Sequence, residues 1–403
     1  MNRMHASPAV ISLFLALAPS TLASNTLYVD GVNGNDSNNC TSAQTACKTI
    51  GHAISLTSSG DSIMVAPATY TENLTINFSL NLIGSGANTT IIDGGGNSTV
   101  VTISSTSGLV TLSRFTIRNG SANTGGGIYN SGTLTINQSI VSANRARILT
   151  NGSTLGGGIY NTAVLILNNS TVTGNTAVAT ARFEYAYGGG IANNHGTLAI
   201  SNSTISGNSA LLGIVNGSGR AYGGGIANLL GTLVINNSTI SGNSARATLF
   251  TTSYGGAISS GSTATISNTT MSSNSAHYGG GISGSATLQN TIVANSSGGN
   301  CDAGATITSH GYNLSSDGTC NFNSRGDLNN HDPLLGPLQN NGGPTQTMAL
   351  LPGSPAIDGG NPSGCTDNQG HLLTTDQRGM ARPDPEDIVG CDIGAYESQS
   401  DQL

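Results

Sequence analysis

The chain has 403 residues, of which 8% are charged and 4% aromatic, with 57 Gly and no Trp. Glycine runs at that density exclude a helical domain, since Gly is among the poorest helix formers. Net charge is -7 but unevenly spread: residues 94–300 hold seven Arg and one acid, Glu184, while residues 301–403 hold thirteen acids and three Arg. An acidic end repels phosphate and the basic middle is too dilute to attract it, so no nucleic-acid partner is expected.

In chain order, Arg3 precedes the apolar run AVISLFLALA at residues 9–18 and then the small residues PSTLAS. This is the form of an export signal over residues 1–23, cleaved after Ala23, and the run is too short to cross a bilayer. No later stretch reaches that length, so the mature chain is expected outside the cell or on its surface, without a transmembrane span. Residues 24–93 read as an N-terminal cap and first coils, 94–300 as a repeat body, and 301–403 as last coils and a C-terminal cap. The six cysteines suit an exported protein and fall in three local pairs: Cys40 with Cys47, Cys301 with Cys320, Cys365 with Cys391. Proximity alone selects those disulfides; other pairings fit the count equally. Tight zinc-ligand spacing is absent.

Glycine clusters recur at Gly125, Gly156, Gly188, Gly223, Gly255 and Gly279, in steps of 31, 32, 35, 32 and 24 residues. A period in this range marks a solenoid. Each cluster is followed by Ile (Ile128, Ile159, Ile191, Ile226, Ile258, Ile282), then by an alternating strand such as TLVIN, then by a short one such as STIS. Alternation over four or five residues predicts strands, and no single coil could bury its apolar side alone. One Asn column runs through Gln138, Asn169, Asn202, Asn237, Asn268 and Asn290; a second runs through Asn144, Asn175, Asn208, Asn243 and Asn274. Asn tolerates left-handed turns and bonds to its own kind along a stack. The many N-x-S/T matches therefore read as ladder residues rather than glycan acceptors.

With GGGI or GGAI followed by VTGN or ISGN, the repeat resembles that of polymorphic outer membrane proteins, with Ile or Val replacing Phe, and more broadly the right-handed parallel β-helix. Residues 27–76, LYVDGVNGND…KTIGHAI…GDSIMVAPATY, resemble the N-terminal entry of pectate-lyase-like proteins. The resemblance implies that KTIGHAI is a short capping helix and GDSIMVAPATY the first coil. Residues 350–397, LLPGSPAIDGG…TTDQRGMARP…VGCDIGAYE, resemble the choice-of-anchor Q domain of bacterial surface proteins. The implied fold is all-β, a single solenoid of about ten coils capped at both ends; the implied chemistry is slight. The chain stops at SQSDQL with neither an LPxTG-type motif nor a terminal apolar span. Free secretion or noncovalent surface association is expected.

Sites for glycan cleavage are scarce. Glycosidic hydrolysis usually takes two carboxylates flanking the bond, and the body offers only Glu184, with Asp93 roughly three coils away. His195, His277 and His310 are isolated. No catalytic residue is assigned and no organic cofactor is expected. The acids of the C-terminal segment, Asp358, Asp367, Asp376, Asp384, Glu386, Asp387 and Asp392, raise a structural calcium as an alternative to a solvated acidic cap, though no calcium-loop spacing is present.

The insertions carry more. Aligned on the glycines, residues 147–155, 178–187, 211–222 and 246–254 are extra, all at one corner of the coil. They hold Arg147, Arg182, Phe183, Glu184, Tyr185, Arg220, Tyr222, Arg246 and Phe250, in a body otherwise poor in Arg and aromatics. Insertions at one corner commonly build a binding face, and aromatic planes with Arg between them suit sugar rings and acidic glycans. The first reading is thus a secreted or surface protein that binds glycans or adheres without catalysis. A second is a polysaccharide lyase or glycoside hydrolase with a non-standard site, and a third is a purely structural surface protein. For the third, Tyr187, Tyr222, Tyr254 and Tyr278, each directly before the glycines, would form a stack sealing the core.

Overall fold

The computed structural model describes residues 24–148, 152–180, 184–213, 219–248, 251–385 and 390–399. The export signal lies outside them. One coil shows how the sequence becomes the fold. After Gly188–Gly190 come the strands Ile191–Asn193, Thr197–Ser201 and Thr204–Ser206. Alternation turns Leu198 and Ile200 inward beside Ile191 and Ile205, all buried. One turn later the same pattern lands on itself in parallel register: Ile191 on Ile226, Leu198 on Leu233, Ile200 on Ile235, Ile205 on Ile240. Repetition gives an 18-stranded sheet that wraps two sides of the solenoid and an 11-stranded sheet on a third. The chain is a right-handed parallel β-helix, the usual sense for parallel connections. The main hydrophobic core runs from Leu27 to Phe322.

The two predicted Asn columns divide the labour. Gln138, Asn169, Asn202, Asn237, Asn268 and Asn290 all take φ between 47° and 51°, the left-handed corner that most side chains avoid. The second column is a buried ladder: Nδ2 donates to Oδ1 from Asn144 to Asn175, Asn175 to Asn208, Asn208 to Asn243 and Asn243 to Asn274, at 2.9–3.0 Å. A third ladder, unforeseen in the sequence, runs from Asn130 to Asn161, Asn193 and Asn228 at 2.7–2.8 Å.

At the N-terminal end the expected helix forms over Ile50–Leu56, capped by Thr49 and with Glu72 accepting from the first two helical N–H groups at 2.9 and 2.7 Å. Its Ile50, Ala53 and Ile54 join the core, so it covers the open end of the first coil. All three expected disulfides are present: Cys40–Cys47, Cys301–Cys320 and Cys365–Cys391.

The C-terminal segment does more than cover an end. After an antiparallel hairpin, Leu335–Gln339 with Thr347–Leu350, it runs back along the outer flank of the 11-stranded sheet. Asn237, Asn268 and Asn290 donate through Nδ2 to the carbonyls of Thr375, Thr366 and Asp392 at 3.2, 2.7 and 2.9 Å. Thr239 donates to Gln377 at 2.6 Å, and Ile393 packs on Ile292 and Leu314. The left-handed corners thus serve as a docking track for this clasp. Its chemistry corrects the expectation of a solvated acidic cap. Asp376, Asp384, Asp392 and Glu397 are buried together with Arg378 and Arg382. Arg382 Nε meets Glu397 Oε2 at 2.6 Å and Arg378 meets Asp376 at 2.7 Å, while Arg378 lies 3.6 Å above the Tyr396 ring centroid.

Candidate functional site

The insertions fold as β-arms. Each leaves the coil as one strand and returns as another: Arg145–Arg147 and Thr154–Leu155, Thr176–Ala179 and Tyr185–Tyr187, Ser209–Leu212 and Arg220–Tyr222, Ser244–Ala247 and Thr252–Tyr254. Outgoing strands pair in parallel from coil to coil as a five-stranded sheet, returning ones as a four-stranded sheet. The two sheets face each other across a thin core of Ala179, Ala186, Ala210, Leu212, Ala221 and Ala245. The result is a fin standing off one corner of the solenoid. Small residues let its two layers approach closely; the alternate positions must then point outward, away from the partner layer.

The glycine triplet is the neck of the fin. Gly188 takes φ +63° to turn the returning strand into the coil. A β-carbon on Gly189 would overlap the backbone of Ser209 in the next outgoing strand, and one on Gly190 would stand 3.0 Å from Asn208 Cγ in the buried ladder. Outgoing and returning backbones cross there with no space for a side chain.

The outer face of the returning sheet is aromatic. Tyr187 aligns with Tyr222, Tyr222 with Tyr254, and Tyr254 with Tyr278 through an isolated bridge. Parallel strands lie about 4.8 Å apart, and the rings follow: centroids are 5.1, 5.4 and 5.3 Å apart and planes 9°, 15° and 23° from parallel. Tyr185 stacks beside Tyr187 at 5.8 Å. Exposed Arg220 donates from Nη1 to the Tyr222 hydroxyl at 3.3 Å and reaches over the Tyr254 ring at 5.8 Å. Among the described residues Arg220 has no carboxylate partner. Burial, then the neighbouring Tyr222 and Tyr185, push the Tyr187 phenol up to about 12, so it remains a hydrogen-bond donor well above neutral pH.

The residues expected to form one face are divided. Tyr185, Arg220 and Tyr222 share the returning face. Arg147 and Arg246, both exposed, lie on outgoing strands and belong to the opposite face of the fin. Glu184 is not at the surface: it is buried, and its Oε2 accepts from the Thr180 N–H at 2.9 Å. Arg182, Phe183 and Phe250 lie outside the described residues. The tyrosine stack exists, but on the outer surface: alanines, not Tyr187, Tyr222 or Tyr254, fill the fin core, and Tyr278 is 47% exposed. Tyr187, Tyr254 and Tyr278, absent from the expected ligand residues, complete the column. Their place directly before the glycines was the signal.

Other clusters are internally occupied. Asp93 is paired with Arg118 at 3.0 Å; burial pushes its carboxyl up, but hydrogen bonds from Asn119, Gly95 and Arg118 bring it below the usual range. Among the acids considered for calcium, Asp376 accepts from Arg378 and from the N–H groups of Met380 and Glu397, and Asp392 accepts from those of Asp358 and Ser398. Asp367 pairs with His371 at 3.1 Å, and Glu386 and Asp387 lie outside the described residues. Among the described residues the one grouping of three metal-capable side chains is Cys40, Cys47 and His52, whose thiols are joined to each other. No helix among them is long and apolar enough to cross a membrane.

Fold and site define a β-helix with a lateral aromatic fin. No family model matches the sequence and no curated protein matches it. Among solved structures, the chain is similar to pectate lyase Pel9A at 17% identity and TM-score 0.46, over 92% of this chain and 96% of that one. It is also similar to pectin methylesterase from carrot at 13% identity and TM-score 0.38, over 72% and 90%. At these values the architecture rests on the strand register itself.

Proposed function

We propose that this is an exported surface protein that binds glycans without cleaving them, through the outer face of the returning sheet. The carrying observation is the column Tyr187, Tyr222, Tyr254 and Tyr278 with exposed, carboxylate-free Arg220 beside it. Inner ring faces are covered by their neighbours, so a ligand meets a row of ring edges and hydroxyls, one per coil, and the open face of Tyr278. Those groups supply CH contacts, hydrogen bonds and one cation, the elements of sugar recognition. Its repeat and C-terminal motif support reading the chain as a polymorphic-repeat, anchor-Q-type surface protein.

The test is a glycan array probed with the full chain and with an Arg220→Ala, Tyr222→Ala double variant of unchanged melting temperature. Binding weakened tenfold or more in the variant, with the bound glycan left intact, is the expected result. Depolymerisation of a bound glycan would establish the enzymatic reading instead. A wild-type chain that binds nothing would leave the fin a structural brace.

A further inference from the structure

The described disulfides leave a gap. They brace the first strand, the turn at residues 301–320 and the clasp, while no cysteine occurs from Lys48 to Asn300. The tyrosine column lies in that interval. We propose that it is a site of intramolecular dityrosine formation, which would tie consecutive coils covalently under one-electron oxidation by a peroxidase and hydrogen peroxide.

The geometry suits the coupling. Tyr187, Tyr222 and Tyr254 sit at equivalent places on in-register strands and Tyr278 continues the column through an isolated bridge, with ring planes 9° to 23° apart and centroids 5.1 to 5.4 Å apart. Equivalent ortho carbons of near-parallel rings are separated by about the same distance as the centroids. The rings lie on the outer face of a sheet rather than in a close-packed core, so rotation about their side-chain bonds can close that gap. Tyr278, 47% exposed at the end of the column, is open to an oxidant, and each neighbour is next in line.

Each of two phenols loses one electron and its O–H proton, giving two phenoxyl radicals. These join through one new bond between ortho carbons. The two ortho hydrogens then leave carbon as protons and return to the phenol oxygens, restoring both aromatic rings. The net loss is two protons and two electrons. Hydrogen peroxide accepts them at the peroxidase, its O–O bond breaks, and two waters form. The site is independent of any glycan.

The experiment treats dilute full-length protein with horseradish peroxidase and hydrogen peroxide, then maps dityrosine by fluorescence and by mass spectrometry of the digest. The expected product is a monomer lighter by two hydrogens per link, with linked peptides joining Tyr187 to Tyr222, Tyr222 to Tyr254 or Tyr254 to Tyr278. Tyr222→Phe should abolish the first two links and spare the third. Tyr129→Phe should change none, although Tyr129 and Tyr160 also lie 5.5 Å apart with planes inclined at 60°. Links found only between molecules, or spread over tyrosines according to exposure, or none at all, would each overturn the proposal. A link-dependent rise in the melting temperature of the wild-type product, missing from the Tyr222→Phe, Tyr254→Phe double variant, would show that the bond braces the coils.

Discussion

Gly224 and Ser244 occupy one narrow crossing: a β-carbon on the glycine would overlap the carbonyl carbon of the serine in the outgoing strand of the next arm. Its backbone φ is not left-handed, so the constraint is steric alone. Gly174 is the converse, with φ +64° and nothing within 4 Å of the added carbon. Gly174→Ala should therefore cost about 1–2 kcal/mol, the left-handed penalty of an L-residue. Gly224→Ala must displace a strand of the fin and should cost more, about 3 kcal/mol or above. Chemical denaturation of the two variants would order them.

The side chain of Asn208 is held by four hydrogen bonds. It donates to Asn243 Oδ1 and the Val172 carbonyl at 2.9 Å, and its Oδ1 accepts from both the N–H and the Nδ2 of Asn175 at 3.0 Å. Asn208→Leu takes the buried partner from the Asn175 N–H and the Val172 carbonyl of the preceding coil, while Asn243 Oδ1 keeps the backbone N–H of residue 208. A loss of about 2–4 kcal/mol is expected, because an unmade buried bond carries the desolvation cost of the group left behind. Urea unfolding of the variant beside wild type reads it directly.

The clasp should weaken as pH rises through neutrality. Burial, and then the charge of Glu397, push the Asp392 carboxyl up to about 7, and burial raises Glu397 as well. A raised folded-state value favours the protonated group, so this contribution is complete below about 4, the unfolded value, and is lost as pH climbs through 7. The carboxyls held low, Asp30, Asp36, Asp93 and Asp317, act with the opposite sign, but only in more acid solution. Limited proteolysis of the region 340–399 should therefore accelerate between pH 5 and 8. Asp392→Asn should flatten that profile; an unchanged profile would remove Asp392 as its cause.

Arg382 and Glu397 form an ion pair with both side chains wholly buried. Arg382→Met strands the carboxylate and should cost about 3–5 kcal/mol. Arg382→Met with Glu397→Leu removes both charges and should recover much of the loss. Loss in the single variant should appear as early cleavage of the clasp ahead of the coils. A double variant no better than the single one would mean that the arginine's bonds to the Gly394 carbonyl and Asn237 Oδ1 dominate.

Much of the solenoid was legible because stacking repeats one instruction: Ile after glycine, alternation, then an Asn corner, every 31 to 35 residues through most of the body. The fin was legible only as extra length. Its split into two faces lay in the short returning phrases EYAYGGG and GRAYGGG, where alternation sends Ala inward and Tyr outward. Read as strands, they separate Tyr222 from Arg246; read as loops, they do not. Glu184 was misplaced for the same reason, since it stands just before a strand and turns inward to a backbone N–H. The clasp has no period at all. Its polar contacts with Thr239, Asn268 and Asn290 join residues about a hundred positions apart or more, which a local pattern cannot encode.

That clasp also changes how the molecule bears load. In a bare solenoid pulled along its axis, coils are links in series, and the outermost can peel away while the rest stay folded. Here one covalent segment grips successive corners from Asn202 to Asn290. Tension across those coils is shared in parallel, so they should yield together, at a force set by the grip of the strap rather than by any single rung.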